Sequence, residues 1–325
     1  MNDKNHYNPW LHSIAVLTAG ATFLLIVVGG IVTSTESGLA VPDWPTTFGY
    51  NMFLYPLSEM VGGILYEHSH RLMGSLVGLL TISLLVMLLV NDTRRWLKWL
   101  GLLALIAVIV QGILGGLRVT ELSITLAILH ACLAQAFFAL LCGISWFTSR
   151  KWYNNSIQEE SVENNQNTKR LQRLSLLTTC LIYIQLIFGA LLRHIGSKLS
   201  STLLLYVIIG IHILFALLIT LHIFLFLRRF FSMESKSPEI GGRLPLVLLG
   251  LVAVQIIFGI GAYLTRLTFI GETVSTVLTD LITTSHVAVG ALMLVSSFVI
   301  TLKLFRFKLP SISNGTTIDH TLVTE

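Results

Sequence analysis

Six of the ten histidines lie inside long apolar stretches, and four of these occupy positions that repeat between the two halves of the chain. His70 and His130 lie in the second and fourth of these stretches, and His212 and His286 lie in the sixth and eighth. An ionisable side chain inside a membrane span is costly and therefore indicates a functional site. Two histidines at similar depth on neighbouring helices can bind a heme iron from both faces. The pattern predicts one bis-histidine heme site in each half; the alternative is four hydrogen-bonded histidines that only hold helices together.

The other histidines give weaker signals. His222 follows His212 on the same predicted helix but is rotated about 80° around it, so a packing role or a cytoplasmic-side role is favoured. His68 lies next to His70 but points to a different helix face. His194 falls in a predicted outer loop, where it is either exposed to solvent or near a heme propionate. The remaining histidines lie in the tails or before the first span: His6, His12 and His320.

Charged side chains lie close to the histidines at the predicted outer face. Glu67 precedes His70 by three residues, so the two share a helix face. Its carboxylate is predicted either to orient the imidazole and move protons or to act only as a favourable acid near a helix N-terminus. Arg71, Arg118 and Arg193 lie at the outer ends of predicted helices. We interpret them as partners for heme propionates, with plain interfacial anchoring as the alternative.

The composition indicates a lipid environment. Hydrophobic residues make up 54% of the chain and charged residues 11%, with a mean hydropathy of +0.79, whereas soluble domains have about 25% charged residues. Apolar runs of spanning length must form helices in lipid. The sequence therefore predicts an all-α membrane protein with eight transmembrane helices. The predicted spans are Ile14–Thr33, Leu65–Leu89, Leu97–Leu117, Ile124–Phe147, Leu174–Leu192, Leu203–Leu227, Leu244–Leu264 and Val277–Leu302.

Lysine and arginine are unequally distributed between the two sides of the predicted membrane. Sixteen of the 21 fall on one side, and because cytoplasmic loops carry such an excess, both termini are predicted to be cytoplasmic. This bias also explains the net charge of +5 without a nucleic-acid partner. The first apolar stretch has no small-residue cleavage site after it, so we interpret it as a retained helix in a bacterial plasma membrane. The outer side holds Arg71, Arg118, Arg193, Lys198 and Arg266.

The chain divides into two similar halves. A polar linker is predicted at residues 151–172, between an N-terminal bundle at 1–150 and a C-terminal bundle at 173–308, with a cytoplasmic tail at 309–325. Four spans in each half keep the halves in the same orientation, which predicts two four-helix bundles related by a pseudo-twofold axis along the membrane normal. A Gln-x3-Gly pattern recurs, and its glycines would also let helices approach closely. The copies are Gln111–Gly115, Gln185–Gly189 and Gln255–Gly259.

Two segments resemble the heme A synthase family. They are GGIVTSTESGLAVPDWP at Gly29–Pro45 and YEHSHRLMGS at Tyr66–Ser75. Histidines on the second, fourth, sixth and eighth helices agree with the same family, and the resemblance extends from about Ile14 to Leu302. It implies oxidation of the C8 methyl group of heme O to a formyl group, which gives heme A for terminal oxidases.

The resemblance also implies a division of roles between the halves. The N-terminal half would bind the substrate heme O and the product heme A through His70 and His130. The C-terminal half would bind heme b, an electron-transfer cofactor, through His212 and His286. Glu67 matches the glutamate that precedes the ligand in the family and would be the catalytic acid or base. The implied partners are the lipid bilayer, an electron acceptor such as a quinone or a cytochrome, and heme O synthase or cytochrome oxidase during assembly.

The sequence departs from many bacterial members in one respect. Those members carry a cysteine pair in the first outer loop, whereas residues 33–67 here contain no cysteine. The chain therefore resembles the subset without that pair, and no thiol–disulfide relay is expected in this loop. The main alternative function is a b-type di-heme membrane cytochrome that passes electrons to or from quinone, because the histidine pairs fit it equally well. The sequence leaves open the electron acceptor, homo-oligomerisation and the route by which heme A is passed on.

Overall fold

The computed structural model describes residues 7–154, 165–195, 202–234 and 243–306. Eight helices within these ranges are long and apolar enough to cross a membrane, which confirms the predicted all-α class and the number of spans. A ninth helix, α5, is short and lies between the halves. The helices are α1 (Pro9–Ser34), α2 (Gly63–Asn91), α3 (Arg95–Thr120), α4 (Ile124–Thr148), α5 (Arg150–Asn154), α6 (Asn165–Ile195), α7 (Thr202–Glu234), α8 (Leu244–Leu267) and α9 (Thr276–Arg306).

Several helices are longer than their predicted spans. Helix α6 begins at Asn165 instead of Leu174, and α7 continues to Glu234 instead of ending at Leu227. Hydropathy detects only the part of a helix that lies in lipid, and these extensions are polar turns that continue beyond it. Helices α5 and α6 thus take up both ends of the predicted linker at 151–172. The tail at 309–325 lies outside the described residues, and the domain bounds stay predictions.

Local sequence signals explain where the helices begin and turn. Asn8 caps α1, because its side-chain oxygen accepts hydrogen bonds from the backbone N–H groups of the first turn. Between α2 and α3, the Asp92 carboxylate accepts from the Arg94 backbone N–H and, at 2.7 Å, from its guanidinium. Burial alone would raise the pKa of Asp92, but these hydrogen bonds lower it overall. A tight turn at Leu122 (φ 49°) leads to Ser123, whose hydroxyl caps α4.

Each half is a ring of four helices. In the N-terminal bundle α1 contacts α2 and α4, and α3 contacts the same two helices, so α2 and α4 face each other across the ring. The C-terminal bundle repeats this order with α6, α7, α8 and α9, but α7 contacts α8 only sparsely. The halves meet where α4 packs against α9, flanked by the pairs α1–α9 and α4–α6. A twofold axis between α4 and α9 interchanges those two flanking pairs, as the internal repeat predicts.

The buried apolar residues of each bundle concentrate toward the end predicted to be cytoplasmic. Leu84 and Leu141 exemplify this in the N-terminal bundle, and Ile223, Leu248 and Leu304 do so in the C-terminal bundle. The four histidines lie toward the opposite end, where each is only half-buried although it belongs to the interior of a bundle. Close apolar packing therefore holds the helices together at the end predicted to be cytoplasmic, and the candidate ligand histidines lie at the other end of each ring.

The loop between α1 and α2 folds over the outer end of the N-terminal bundle. Asp43 organises it, because its carboxylate accepts hydrogen bonds from the backbone N–H groups of Phe48 (2.8 Å) and Gly49 (2.9 Å) and from the Thr46 hydroxyl. Burial alone would raise the pKa of Asp43, but these hydrogen bonds lower it to about 2. Phe48 and Gly49 have positive φ angles of 50° and 79°, so the chain turns sharply at this point.

Candidate heme sites

His70 on α2 and His130 on α4 lie opposite each other across the N-terminal ring, with their imidazoles in an edge-on arrangement. Their ring centroids are 6.4 Å apart and their planes are inclined by 66°. Two imidazole nitrogens that each lie about 2 Å from one metal ion place their ring centroids roughly 6 Å apart. The pair therefore fits the two axial positions of a heme iron. Within the described residues no cluster of three or more His, Cys, Asp or Glu forms a metal site, and a heme iron needs only two protein ligands.

The C-terminal ring presents the corresponding pair, His212 on α7 and His286 on α9. Both imidazoles are half-buried. They occupy the helices that face each other across this ring, as α2 and α4 do in the other half. The C-terminal half therefore holds the second predicted pair in an equivalent position.

Each of the four histidines lies against a glycine on the preceding long helix. A Cβ atom added at Gly29, Gly115 or Gly259 would come within 3.0–3.1 Å of the imidazole, which is tighter than ordinary contact, so close approach favours glycine at these three positions. At Gly189 the added Cβ would make ordinary van der Waals contact with the ring. The pairs and the shortest distances from the added Cβ are Gly29–His70 at 3.0 Å, Gly115–His130 at 3.1 Å, Gly189–His212 at 3.5 Å and Gly259–His286 at 3.1 Å.

The glutamine one turn before Gly115 holds His130 from two directions. The Gln111 side-chain amide donates to the His130 backbone carbonyl at 3.0 Å, and the His130 Nδ1–H donates to the Gln111 backbone carbonyl at 3.1 Å. A proton on Nδ1 leaves the lone pair of Nε2 free, which is the form of imidazole that binds iron. The Gln111 side chain therefore positions the His130 backbone, and the backbone carbonyl of residue 111 sets the tautomer of the imidazole.

The other two copies of the pattern contact the histidines of the C-terminal ring. The Gln185 amide nitrogen lies 2.9 Å from the His212 backbone oxygen and 3.2 Å from the His212 Nδ1. The Gln255 amide nitrogen lies 3.4 Å from the His286 Nε2. The sequence pattern, which alone indicated only close helix contact, thus marks residues that touch the candidate ligands.

Glu67 and Arg71 form a buried ion pair that binds the outer loop to α2. The Glu67 Oε1 lies 2.8 Å from the Arg71 guanidinium, and its Oε2 accepts the Val41 backbone N–H at 2.9 Å. Arg71 also donates to the backbone carbonyls of Val41, Asp43 and Thr46. Glu67 makes no hydrogen bond to His70 in the described part of the chain. Both side chains are therefore engaged with the loop, and their predicted roles toward heme stay predictions.

Two further contacts of the outer loop were not anticipated from the sequence. His68 is almost fully buried, where its Nδ1 lies 3.1 Å from the Thr47 hydroxyl and its ring lies 5.1 Å from that of Tyr55. The Trp44 indole lies directly on Gly116 of α3, and an added Cβ there would overlap it. The pair of adjacent glycines on α3 could have indicated this contact from the sequence. Gly115 faces the His130 imidazole, and Gly116 faces the Trp44 indole of the loop.

The two other candidate arginines have different surroundings. Arg118 is half-buried and makes one hydrogen bond to the described residues, to the Gly38 carbonyl at 3.0 Å. Arg193 of α6 donates to the Gly30 carbonyl at 2.8 Å and to the Ser34 hydroxyl at 2.7 Å, both on α1. Arg193 therefore connects the two halves at their outer ends. Sequence reasoning missed this junction because its partners are a backbone carbonyl and a small hydroxyl from the other half.

The remaining histidines lie away from the two pairs or outside the described residues. The His222 Nε2 lies 3.4 Å from the Leu174 carbonyl on α6, which agrees with the predicted packing role. His194 lies in the last turn of α6, not in a loop, and is half-buried. His12 contacts the Thr148 hydroxyl at 3.4 Å. His6 and His320 fall outside the described ranges.

Comparison with known proteins places this architecture in a family. The sequence model of the cytochrome oxidase assembly protein family, COX15-CtaA, matches residues 12–205, which is more than half of the chain. The chain belongs to this family. The matched region contains all of the N-terminal bundle except the first three residues of α1, includes His70 and His130, and ends before His212.

Curated relatives in this family are similar to the chain over part of their length. A heme A synthase from Exiguobacterium sibiricum is 31% identical over 192 residues, which cover 57% of this chain and 60% of the relative. One from an Exiguobacterium species is 28% identical over 179 residues, or 54% of each. One from Lysinibacillus sphaericus is 25% identical over 150 residues, or 45% of this chain and 47% of the relative. The chain thus matches about half the length of these relatives.

Proposed function

We propose that this chain is a heme A synthase, which oxidises the C8 methyl group of heme O to a formyl group and so supplies heme A to terminal oxidases. The observation that supports this most directly is the 6.4 Å separation of the His70 and His130 rings, which fits the two axial ligands of one heme iron. The chain is a member of the cytochrome oxidase assembly protein family, and its curated relatives carry the name heme A synthase.

In this proposal the two bundles have different roles. His70 and His130 bind the substrate heme, which arrives as heme O and leaves as heme A. His212 and His286 bind heme b, which passes electrons. The bound iron would supply the redox chemistry that the side chains alone lack, and the protein holds the porphyrin and orients the methyl group.

Arg118 is the arginine whose contacts best suit a heme propionate. It lies in the N-terminal bundle, and its guanidinium makes one hydrogen bond to the described residues, so its other N–H groups have no acceptor among them. A carboxylate is the natural partner for such a group in a desolvated place. Arg71 and Arg193, by contrast, each make several hydrogen bonds to the protein, and a propionate would have to share them.

Glu67 remains the proposed acid or base. Its two oxygens are already hydrogen-bonded to Val41 and Arg71, so proton transfer through this carboxylate would require one of those contacts to open. A Glu67→Gln variant tests the role: loss of formyl heme with the outer loop still folded would support proton transfer. Loss of activity together with increased proteolysis of the loop would instead support a purely structural role.

The cellular setting is proposed on the same grounds. The eight apolar helices support a multi-pass membrane protein, and the relatives are bacterial, which supports a bacterial plasma membrane with both termini in the cytoplasm. The electron acceptor would be a quinone or a cytochrome in that membrane. Heme O synthase and cytochrome oxidase would supply the substrate and receive the product, and self-association is compatible with this scheme.

Co-expression with a source of heme O tests the proposed activity. Hemes extracted from these cells are identified by mass, and the proposal expects a hydroxylated or formyl heme that is absent when His130 is replaced by alanine. If only heme B and heme O are recovered, the synthase assignment is wrong. The second candidate, a di-heme electron carrier, draws support from the likeness of the two histidine pairs. It predicts two permanently bound b-type hemes and no modified heme.

A further inference from the structure

The four candidate ligands are not held equally. His130, His212 and His286 each contact a glutamine that lies four residues before the glycine facing the imidazole. His70 faces Gly29 in the same manner, but the residue four positions before Gly29 is Leu25. The repeat is therefore broken at one of its four copies, and the break lies beside one ligand of the N-terminal pair.

The break leaves the His70 imidazole without a hydrogen-bond partner among the residues that the structure describes. A leucine side chain has no N–H to donate to the backbone carbonyl of the histidine, as Gln111 and Gln185 do. Histidines that bind metals usually donate their second N–H to an acceptor, which fixes the ring and makes it a better ligand. Among the described residues, His70 therefore lacks both the side-chain amide and the backbone carbonyl that residue 111 provides for His130.

The glutamines of the intact copies have an unused acceptor beside the imidazoles. In all three the side-chain oxygen is buried and has no partner within the described ranges: Gln111, Gln185 and Gln255. An unpaired buried acceptor is costly. The Gln185 carboxamide cannot simply turn over, because its oxygen would then lie 2.9 Å from the His212 backbone oxygen, to which the amide nitrogen now donates. The glutamines therefore act through their amide N–H groups, which at His130 and His212 donate to the backbone carbonyl of the candidate ligand.

We propose that the Gln-x3-Gly segments position the heme ligands, and that Leu25, by replacing the glutamine of the fourth segment, makes His70 the exchangeable ligand. This inference rests on the bis-histidine sites of the proposed function. A substrate heme could then leave by dissociation from His70 while His130 stays fixed. In the C-terminal half both His212 and His286 contact a glutamine, although the His286 Nδ1 has no partner among the described residues, and a heme held there would be retained.

The rate of heme release tests this directly. The full chain is purified in detergent, loaded with hemin and mixed with an excess of apomyoglobin, which captures released heme and reports it by its absorbance. Wild-type protein should release heme in two phases, a fast one from the N-terminal site and a slow one from the C-terminal site. Leu25→Gln should slow the fast phase about 10-fold, and Gln185→Leu and Gln255→Leu should each accelerate the slow phase about 10-fold.

Matched variants separate positioning from general damage. Leu24→Gln places the same side chain one residue away, where Leu24 is 56% exposed toward lipid, and should leave both phases unchanged. Gln135→Leu removes another buried glutamine of the N-terminal bundle whose side-chain oxygen also lacks a partner in the described part of the chain, and it should behave like wild type. The reduction potential of the retained heme should shift in Gln185→Leu and not in Gln135→Leu, since only Gln185 contacts a ligand imidazole.

The outcomes distinguish this inference from the proposed function. If formyl heme is produced but substitutions at Leu25 and the three glutamines leave the rates of both release phases unchanged, the positioning role is wrong and the synthase assignment stands. If the phases respond as expected but no modified heme forms, the positioning role stands and the synthase assignment is wrong. A loaded protein without the spectrum of low-spin bis-histidine heme would overturn both.

Discussion

The N-terminal and C-terminal bundles use the same helix order and the same histidine–glycine contacts, but they enclose their histidine pairs differently. The N-terminal bundle has a long loop that the Glu67–Arg71 pair fastens over its outer end, and one of its histidines lacks a supporting glutamine. The C-terminal bundle has a glutamine behind each histidine, but α7 touches α8 only sparsely. The same helix frame is present twice, and under the two proposals above the residues around each copy suit exchange of heme in the N-terminal half and retention of heme in the C-terminal half.

Removal of a C-terminal ligand should have the largest effect. His286→Ala should abolish the retained heme, a loss of about one heme per chain. It should also lower the melting temperature, because a heme that bridges α7 and α9 would compensate for the weak contact of α7 with α8. The measurement is heme per polypeptide in purified protein, followed by thermal unfolding in detergent.

The matched variant is His70→Ala, which should lose only the heme that exchanges. The retained heme and its low-spin spectrum should survive in this variant. If His70→Ala removed both hemes, the two bundles would not bind heme independently, and the contrast between exchange and retention would be wrong.

The second largest effect is expected from the ion pair that closes the N-terminal bundle. Arg71→Ala should destabilise the protein by about 3–5 kcal/mol, because it leaves the Glu67 carboxylate buried without its partner. The C-terminal bundle offers the control in Arg266–Asp280, whose N–O distance is also 2.8 Å but whose arginine is 42% exposed. Arg266→Ala should cost about 0–1 kcal/mol. The free energy of unfolding of both variants is measured by chemical denaturation. Equal decreases for Arg71→Ala and Arg266→Ala would contradict the idea that burial makes the Glu67–Arg71 pair the more important one.

Hydropathy was sufficient to predict the eight helices, because lipid leaves the backbone few alternatives, and the twofold plan followed from the even number of spans in each half and the recurring Gln-x3-Gly pattern. The four histidines could also be found, since an imidazole inside a membrane span is costly and these four recur at matching places in both halves. The contacts of Glu67 and Arg71 could not, because their acceptors are backbone groups of a loop such as Val41, and a backbone carbonyl has no sequence signature. The Gln-x3-Gly pattern was visible, but its meaning required knowing which helix face the histidines occupy.

Substitution of the glycines that face the imidazoles should have a smaller, graded effect. Alanine at Gly29, Gly115 or Gly259 would bring a Cβ to 3.0–3.1 Å from an imidazole atom, whereas at Gly189 the distance would be 3.5 Å. Overpacking of this kind costs about 1–3 kcal/mol, so Gly189→Ala should be the mildest of the four. Heme content and melting temperature measured across the series check this order. A Gly189→Ala variant as damaging as Gly29→Ala would mean that the C-terminal imidazole needs as much space as the N-terminal one.

The smallest effect is expected at Asp43, which shapes the loop over the N-terminal bundle. Asp43→Asn should weaken the hydrogen bonds to the Phe48 and Gly49 amides and cost about 1 kcal/mol, detected as faster hydrogen exchange of those amides at neutral pH. The pKa of Asp43 is lowered from 3.8 to about 2, so its contribution to stability is complete above the unfolded value and is lost as the pH falls toward 2. The difference between wild type and variant should therefore stay constant from about pH 8 to 5 and narrow below about pH 4. A difference that instead disappeared between about pH 7 and 6 would point to a histidine as the titrating group, and the loop would then depend on His68 more than on Asp43.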